Sequence, residues 1–226
     1  MSDIFREVDE DLRREQYKRL WDRFGLYVIG LAVLIVLGVS GYKAWEWWER
    51  TQAAATGDRF LAALELSDAG KHDEALAALA AIAADGSGGY PVLATFRSAG
   101  EKAAAGDTDG AVAAYDAIAS RRGLPPLVAD LARLRAAMIL ADSLGPDELQ
   151  SRIGDLVQTG NPWRHSAREI LGLAAYRVGD LDTARKYFDE IADDQESGQG
   201  VKQRAQLMLG LIQSRQGPPP PEPEEG

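Results

Sequence analysis

The chain has 226 residues, 35 acidic against 25 basic side chains for a net charge of −10, and no cysteine. That balance disfavours nucleic acid and anionic lipid as partners, and the missing thiols exclude a disulfide framework and a cysteine nucleophile. Set apart from one apolar segment near its start, the chain is long enough for one substantial globular or solenoid domain.

Residues 1–23 form a charged arm with seven acids and six bases, predicted to be helical over residues 4–20. From Phe24 to Tyr42 the next 19 residues carry no charge. Trp21, Phe24 and Tyr27 cluster at one end, and Tyr42, Trp45, Trp47 and Trp48 at the other. As a helix rising ~1.5 Å per residue this stretch covers roughly 28 Å, close to the ~30 Å hydrocarbon core, and indole and phenol rings favour headgroup depth. Residues 24–42 are therefore read as a single transmembrane helix. Arg13, Arg14, Lys18, Arg19 and Arg23 precede it, whereas only Lys43, Arg50 and Arg59 follow within a similar distance. The positive-inside bias then places the N-terminus in the cytoplasm and the remainder outside. A cleaved signal peptide fits less well, because the apolar run exceeds the usual ~7–15 residues and Ala53 to Ala55 lie beyond three tryptophans. Gly30, Gly38 and Gly41 fall within about 80° on a helical wheel, a stripe on which a second transmembrane helix can lie close.

After the span one pattern recurs: Gly, four residues, Ala, three residues, a large apolar residue, two residues, then Ile-Ala. It reads Gly70, Ala75, Leu79, Ile82, Ala83; then Gly106, Ala111, Tyr115, Ile118, Ala119; then Gly179, Ala184, Phe188, Ile191, Ala192. Gly145 is a degenerate partner, with Gln150 and Gly154 where Ala and an aromatic belong. The glycines stand 36, 39 and 34 apart, a spacing that resembles the tetratricopeptide repeat, a helix-turn-helix unit with a period near 34. In that arrangement Ala lets paired backbones approach, the bulky residue one turn later fills the gap, and Gly ends the preceding helix. Leu171-Gly172 and Leu209-Gly210 sit where the family's first helix has Leu-Gly, while its Trp is missing. The expected fold is all-α: a long helix from about residue 21 to 69, then helices near 72–84, 90–105, 108–121, 126–143, 146–158, 162–178, 181–194 and 199–215. The helical-repeat domain spans residues 43–215. Residues 216–226, ending Pro-Pro-Pro-Pro-Glu-Pro-Glu-Glu-Gly, offer no apolar face and are expected to be an extended, disordered Pro/Glu tail.

Chemistry-bearing constellations are sparse. The two histidines, His72 and His165, are far apart, lack metal-ligand spacing or a nucleophile elbow, and are expected to be solvated surface residues. No catalytic, cofactor-binding or metal-ligating residue is assigned, and the expectation is a protein that is not an enzyme. A stack of helical pairs instead presents a concave groove for extended peptides or partner helices, and a membrane tether raises its effective concentration there. On the first helices the groove-facing positions are Phe96, Arg135, Glu169 and Tyr176.

The order of features resembles a bacterial family, the membrane-anchored tetratricopeptide protein that is an ancillary subunit of the Sec translocon. Leu20-Trp21-Asp22-Arg23-Phe24-Gly25, the Gly-punctuated span, the aromatic cluster, Ala53-Ala54-Ala55 and Phe60-Leu61-Ala62-Ala63-Leu64 carry the likeness. The resemblance implies a single-pass inner-membrane protein whose repeats face the periplasm, beside Sec translocon subunits, exported chains and periplasmic chaperones. An envelope assembly scaffold for cell-wall synthesis or division is the alternative.

Overall fold

The computed structural model describes residues 3–216, and every regular element among them is helical. Helix α1 (Asp3–Asp68) runs unbroken through the arm, the apolar stretch and the residues beyond, without the separation near residue 20 that the sequence suggested. No proline interrupts it, and Gly25, Gly30, Gly38 and Gly41 weaken a helix without ending it. The chain divides into two compact units, Met1–Thr56 and Gly57–Gly226.

Helix α1 over Trp21–Asp68 contains a window of mean hydropathy 2.3 that is long and apolar enough to cross a membrane. Only 6% of that window is buried, and Leu26, Leu34, Leu37 and Val39 all point outward. Polar groups resume directly after it, where Glu46 pairs with Lys43 at 2.7 Å and with Arg50 at 2.5 Å.

In the second unit the end of α1 pairs with α2 (His72–Asp85). It is followed by α3 (Tyr90–Ala104) with α4 (Thr108–Ala119), α5 (Pro126–Leu140) with α6 (Pro146–Ile153), α7 (Arg164–Val178) with α8 (Leu181–Asp193), and a final α9 (Gln199–Gln216). Three of the turns within pairs are alike for one reason: Gly70, Gly106 and Gly179 take φ of +74°, +85° and +85°. In each, the next residue's amide reaches back five positions, as Lys71 to Leu66, Asp107 to Lys102 and Asp180 to Ala175, closing the helix end in a Schellman turn. After the second and third of these turns the following helix starts on a capping carboxylate, Asp107 accepting from Gly110 N–H at 2.9 Å and Asp180 from Thr183 N–H at 3.1 Å.

Four separate apolar clusters result, built around Leu79 and Ile82, Tyr115 and Ile118, Ile153 and Leu156, and Phe188 and Ile191. The repeated alanines Ala75, Ala111 and Ala184 are fully buried beside them. A second small position appears on the first helices: Ala63, Ala99, Ala137 and Gly172 each stand sixteen positions before the bulky residue of their own cluster. A Cβ added at Gly172 would lie 3.0 Å from Phe188 Cζ, so the ring fills the space that glycine leaves.

The third pair departs from the expected register. On its second arm Leu149, Ile153 and Leu156 are the buried apolar side chains, each one position before Gln150, Gly154 and Val157, with Gly154 buried beside them. Gly145 has φ −71° rather than a left-handed conformation, and its N–H donates to Glu148 Oε2 at 3.0 Å as a helix start. Gly145 is therefore not the counterpart of Gly70, Gly106 and Gly179. Helix α6 also ends at Ile153 and tightens into a 3₁₀ turn at Gly154–Val157, short of the expected residue 158. Gln150 folds across Gly154, where a Cβ would collide with its amide at 2.1 Å, and accepts a hydrogen bond from Tyr187 Oη at 2.8 Å. The tail of residues 217–226 lies outside the described residues.

Candidate partner-binding cleft

The first helices carry a second apolar stripe beside the one that builds the cores. On α3 it is Leu93, Phe96 and Gly100, and on α5 it is Val128, Leu131 and Arg135, both with i, i+3, i+7 spacing that keeps residues on one face. With Phe60 from the end of α1, these positions line a cleft of ≈ 740 Å³ whose floor is Tyr115. Three aromatic rings stand among aliphatic side chains in its lining: Phe96 and Tyr115 are tilted at 58° with centroids 6.0 Å apart, and Phe60 is backed from outside the lining by Tyr90 at 5.8 Å. Rigid rings of this kind, part buried and part open, are what interface anchors insert against.

Two guanidinium groups flank the cleft, and they differ. Arg97 is fixed, bonded to Ser67 Oγ at 2.6 Å and paired with Glu101 at 2.8 Å. Arg135 is exposed and has no hydrogen bond or ion pair among the described residues. Burial raises the Tyr115 phenol above its ordinary pKa, and the nearby Arg135 and Arg97 charges oppose that rise. The cleft is thus an apolar trough with positive charge at its edge, in a chain that is otherwise acidic.

Of the four positions expected to face a groove, Phe96 and Arg135 come together in this cleft. Glu169 and Tyr176 lie elsewhere, engaged by α9. Glu169 receives Arg204 at 2.5 and 2.8 Å, and the Arg215 guanidinium sits 4.4 Å from the centre of the Tyr176 ring. Phe60, Leu93, Leu131 and Tyr115 escaped sequence reasoning as cleft residues. The repeated i, i+3, i+7 stripe on α3 and α5 was the signal available. A second cleft of similar volume lies on the second-helix side, among Leu76, Ala80, Ala84, Ser98, Lys102 and Arg121. Its walls are mostly small aliphatic groups and hold no aromatic anchor. In the first unit, a Cβ added at Gly30, Gly38 or Gly41 would meet nothing within 4 Å.

Both histidines differ from the solvated residues that their sequence positions suggested. His72 places Nδ1 3.0 Å from the buried Glu101 carboxylate, which also accepts from Ser67 Oγ at 2.5 Å. The serine hydroxyl donates to the carboxylate rather than to the imidazole, so no base is placed to take its proton as nucleophile activation requires. The cluster instead ties the end of α1, the start of α2 and the C-terminal half of α3 together, and against desolvation its hydrogen bonds from Ser67 and His72, with the Arg97 charge, together lower the Glu101 pKa.

His165 is buried at the start of α7, where the segment after α8 returns across it. Neither of its ring nitrogens has a hydrogen-bond partner in the structure, and Nε2 is 3.6 Å from Asp194. Desolvation first, then the Arg164 charge, lowers its pKa below the ordinary 6.5, with Arg168 acting the same way and Asp194 and Glu196 opposing. Its depressed folded pKa means that the unfolded chain takes the proton first. Stability is complete above about pH 6.5 and is lost as pH falls from there towards the lowered folded value. Melting of the intact chain is therefore expected to fall between about pH 7.5 and pH 5.5, and the slope to flatten in His165→Gln. An unchanged slope in the variant would show that His165 does not set it. Asp194, held to about 2 chiefly by the hydrogen bond from Arg164, stays ionised throughout this window.

A family model described as a tetratricopeptide repeat-like domain matches residues 18–213, covering both the apolar helix and the helical pairs. No curated protein and no solved structure matches the chain.

Proposed function

Because the chain belongs to the tetratricopeptide repeat-like family, whose domains are generally non-catalytic protein-interaction modules, we propose that it captures polypeptide partners in the Phe96–Arg135 cleft while tethered to a membrane by residues 24–42. The observation that carries this reading is the cleft itself: an aromatic-walled trough of ≈ 740 Å³ with one unpaired guanidinium at its edge. The outward-facing leucines and valines of α1 support the tether, since a continuous apolar surface of that size is poorly tolerated in water.

The finer assignment is a bacterial inner-membrane protein with its N-terminus in the cytoplasm and its repeats in the periplasm, associated with the Sec translocon and handling exported chains beside periplasmic chaperones. The arginine-rich arm supports the orientation, and the resemblance from Leu20 through Leu64 supports the translocon association. Gly30, Gly38 and Gly41 are assigned as the face that meets a translocon helix, Glu169 and Tyr176 as residues that hold the C-terminal end of the groove through α9.

Photocrosslinkers placed at Phe96, Leu131 and Gly38 in living cells test this directly. Exported chains are expected on the first two and a translocon subunit on the third. Arg135→Glu is expected to lower capture at the cleft about tenfold, equivalent to ~1.4 kcal/mol. Adducts made only with cell-wall or division proteins would replace the Sec assignment by an envelope scaffold. Adducts made everywhere except the cleft would overturn the cleft as the binding site.

A further inference from the structure

On the second-helix side, the later pairs are tied to one another and the first two are not. Arg152 on α6 reaches Asp116 on α4 at 2.6 Å, and Tyr187 on α8 donates to Gln150 on α6 at 2.8 Å. Between α2 and α4 no hydrogen bond or ion pair is present among the described residues. Each packs on α3, and the open cleft of ≈ 740 Å³ noted above lies between them.

The walls of this cleft have the spacing and the small side chains of a helix contact. Short turns make α2 and α4 both antiparallel to α3, so the two run the same way, with Ser98 of α3 on the floor between them. Leu76, Ala80 and Ala84 stand at i, i+4, i+8 along α2, and Ala114 and Ala117 at i, i+3 along α4, so each set keeps to one face. At ~1.5 Å per residue the wall on α2 is about 12 Å long, roughly two helical turns. Within the chain's own pairs, the buried Ala75, Ala111 and Ala184 let a second backbone come close. Ala80, Ala84 and Ala117 offer the same small surface, yet they are exposed.

Charge selects the occupant. Lys102 and Arg121 line the cleft, no carboxylate does, and neither cation has a side-chain hydrogen bond or ion pair among the described residues. Lys102 is in the last turn of α3 and Arg121 lies just beyond the end of α4, so the antiparallel packing sets them at opposite ends of the trough. On the walls' own helices, Asp85 and Asp116 are held by Arg59 and Arg152, and Asp73, Glu74 and Asp109 belong to first turns outside the lining. We propose that the α2–α4 trough is a second docking site, which seats one acidic amphipathic helix of a partner protein. Its apolar face lies on Ala80, Ala84 and Ala117, and its carboxylates meet Lys102 and Arg121. Ser98 and Lys102 stand on the face of α3 opposite Leu93, Phe96 and Gly100, so this site is separate from the Phe96–Arg135 cleft and both can be filled at once. Contact over so short a wall belongs to the small, transient class of interface.

The probe is a labelled synthetic helix with Leu and Ala on one face and Glu at both ends, paired with a twin in which every Glu is Lys. It is titrated against the full chain in nanodiscs of zwitterionic lipid, with empty discs as background. The Glu peptide is expected to bind about tenfold more tightly than its twin, since it gains two exposed ion pairs where the twin meets two like charges. Lys102→Glu with Arg121→Glu is expected to reverse that preference. Lys186→Glu with Lys202→Glu removes two other unpaired cations and is expected to leave it unchanged. Ala80→Phe with Ala117→Phe, both at exposed positions, is expected to fill the trough and block binding of the Glu peptide. No binding to the unaltered chain, no reversal, or an equal loss in the Lys186 and Lys202 variant would overturn the proposal. Loss of binding in Arg135→Glu would overturn it too, by placing the peptide in the first cleft. So would a charge reversal at Lys102 and Arg121 that changes only the oligomeric state of the chain or its flotation with phosphatidylglycerol vesicles, outcomes that assign the trough to a second copy or to a lipid surface.

Discussion

Phe188→Ala is expected to destabilise the C-terminal half of the second unit by ~3–5 kcal/mol while leaving the cleft folded. Phe188 is wholly buried, and its ring occupies the hollow opened by Gly172, with Cζ 3.0 Å from where a Cβ would stand. Truncation removes its apolar area and leaves a cavity that α7 cannot fill by closing in, because Ala175 and Ala184 already hold the two backbones in contact. The damage stays local. Phe188 belongs to a cluster with Ile191, Ala205 and Ile212, and the clusters around Tyr115 and Leu79 share no buried residue with it. In a stack where each pair contacts only its neighbours, stability is close to a sum of pair and interface contributions. Hydrogen exchange on the variant should show protection lost across α7 to α9 and retained across α2 to α4. Uniform loss through all helices would contradict the separation of the cores.

Leu34→Arg together with Leu37→Arg is expected to abolish stable membrane association. Each arginine near the centre of a spanning helix costs ~2.5–3.5 kcal/mol on insertion scales, so the pair costs about 5–7 kcal/mol. Both positions are exposed in the first unit, so the substitutions disturb no core. Alkaline extraction should move the variant from the pellet to the supernatant while the wild type stays behind. Retention of the double variant would mean that something other than residues 24–42 holds the chain at the membrane.

Much of the fold could be read from spacing alone, because the physics that sets it is local. A glycine at a helix end, an alanine where backbones cross and a bulky residue one turn later are each dictated within a single pair, and the first, second and fourth pairs follow them. The third pair breaks the pattern because its glycine does not end a helix. Gly145 precedes Pro146 and starts a helix, whereas the buried triplet Leu149, Ile153 and Leu156 carried the true register. An apolar i, i+4, i+7 set is the better guide where the turn chemistry changes.

The cleft was legible only in part. Phe96 and Arg135 follow from the face of the first helices, but Glu169 and Tyr176 share that face and are covered, because α9 brings Arg204 and Arg215 onto them. That contact joins residues more than thirty positions apart, beyond what periodicity within one helix can report. His165 is the same case: its burial comes from the return of the segment around Asp194 and Glu196 after α8, and nothing near Pro162 announces it.

The independence of the four apolar clusters has a consequence for how such chains diversify. A duplication or deletion of one whole helical pair at the C-terminal end alters a single junction, so lineages can lengthen or shorten the array without disturbing recognition at Phe96 and Arg135. Variation in repeat number is therefore expected to outpace variation in the trough.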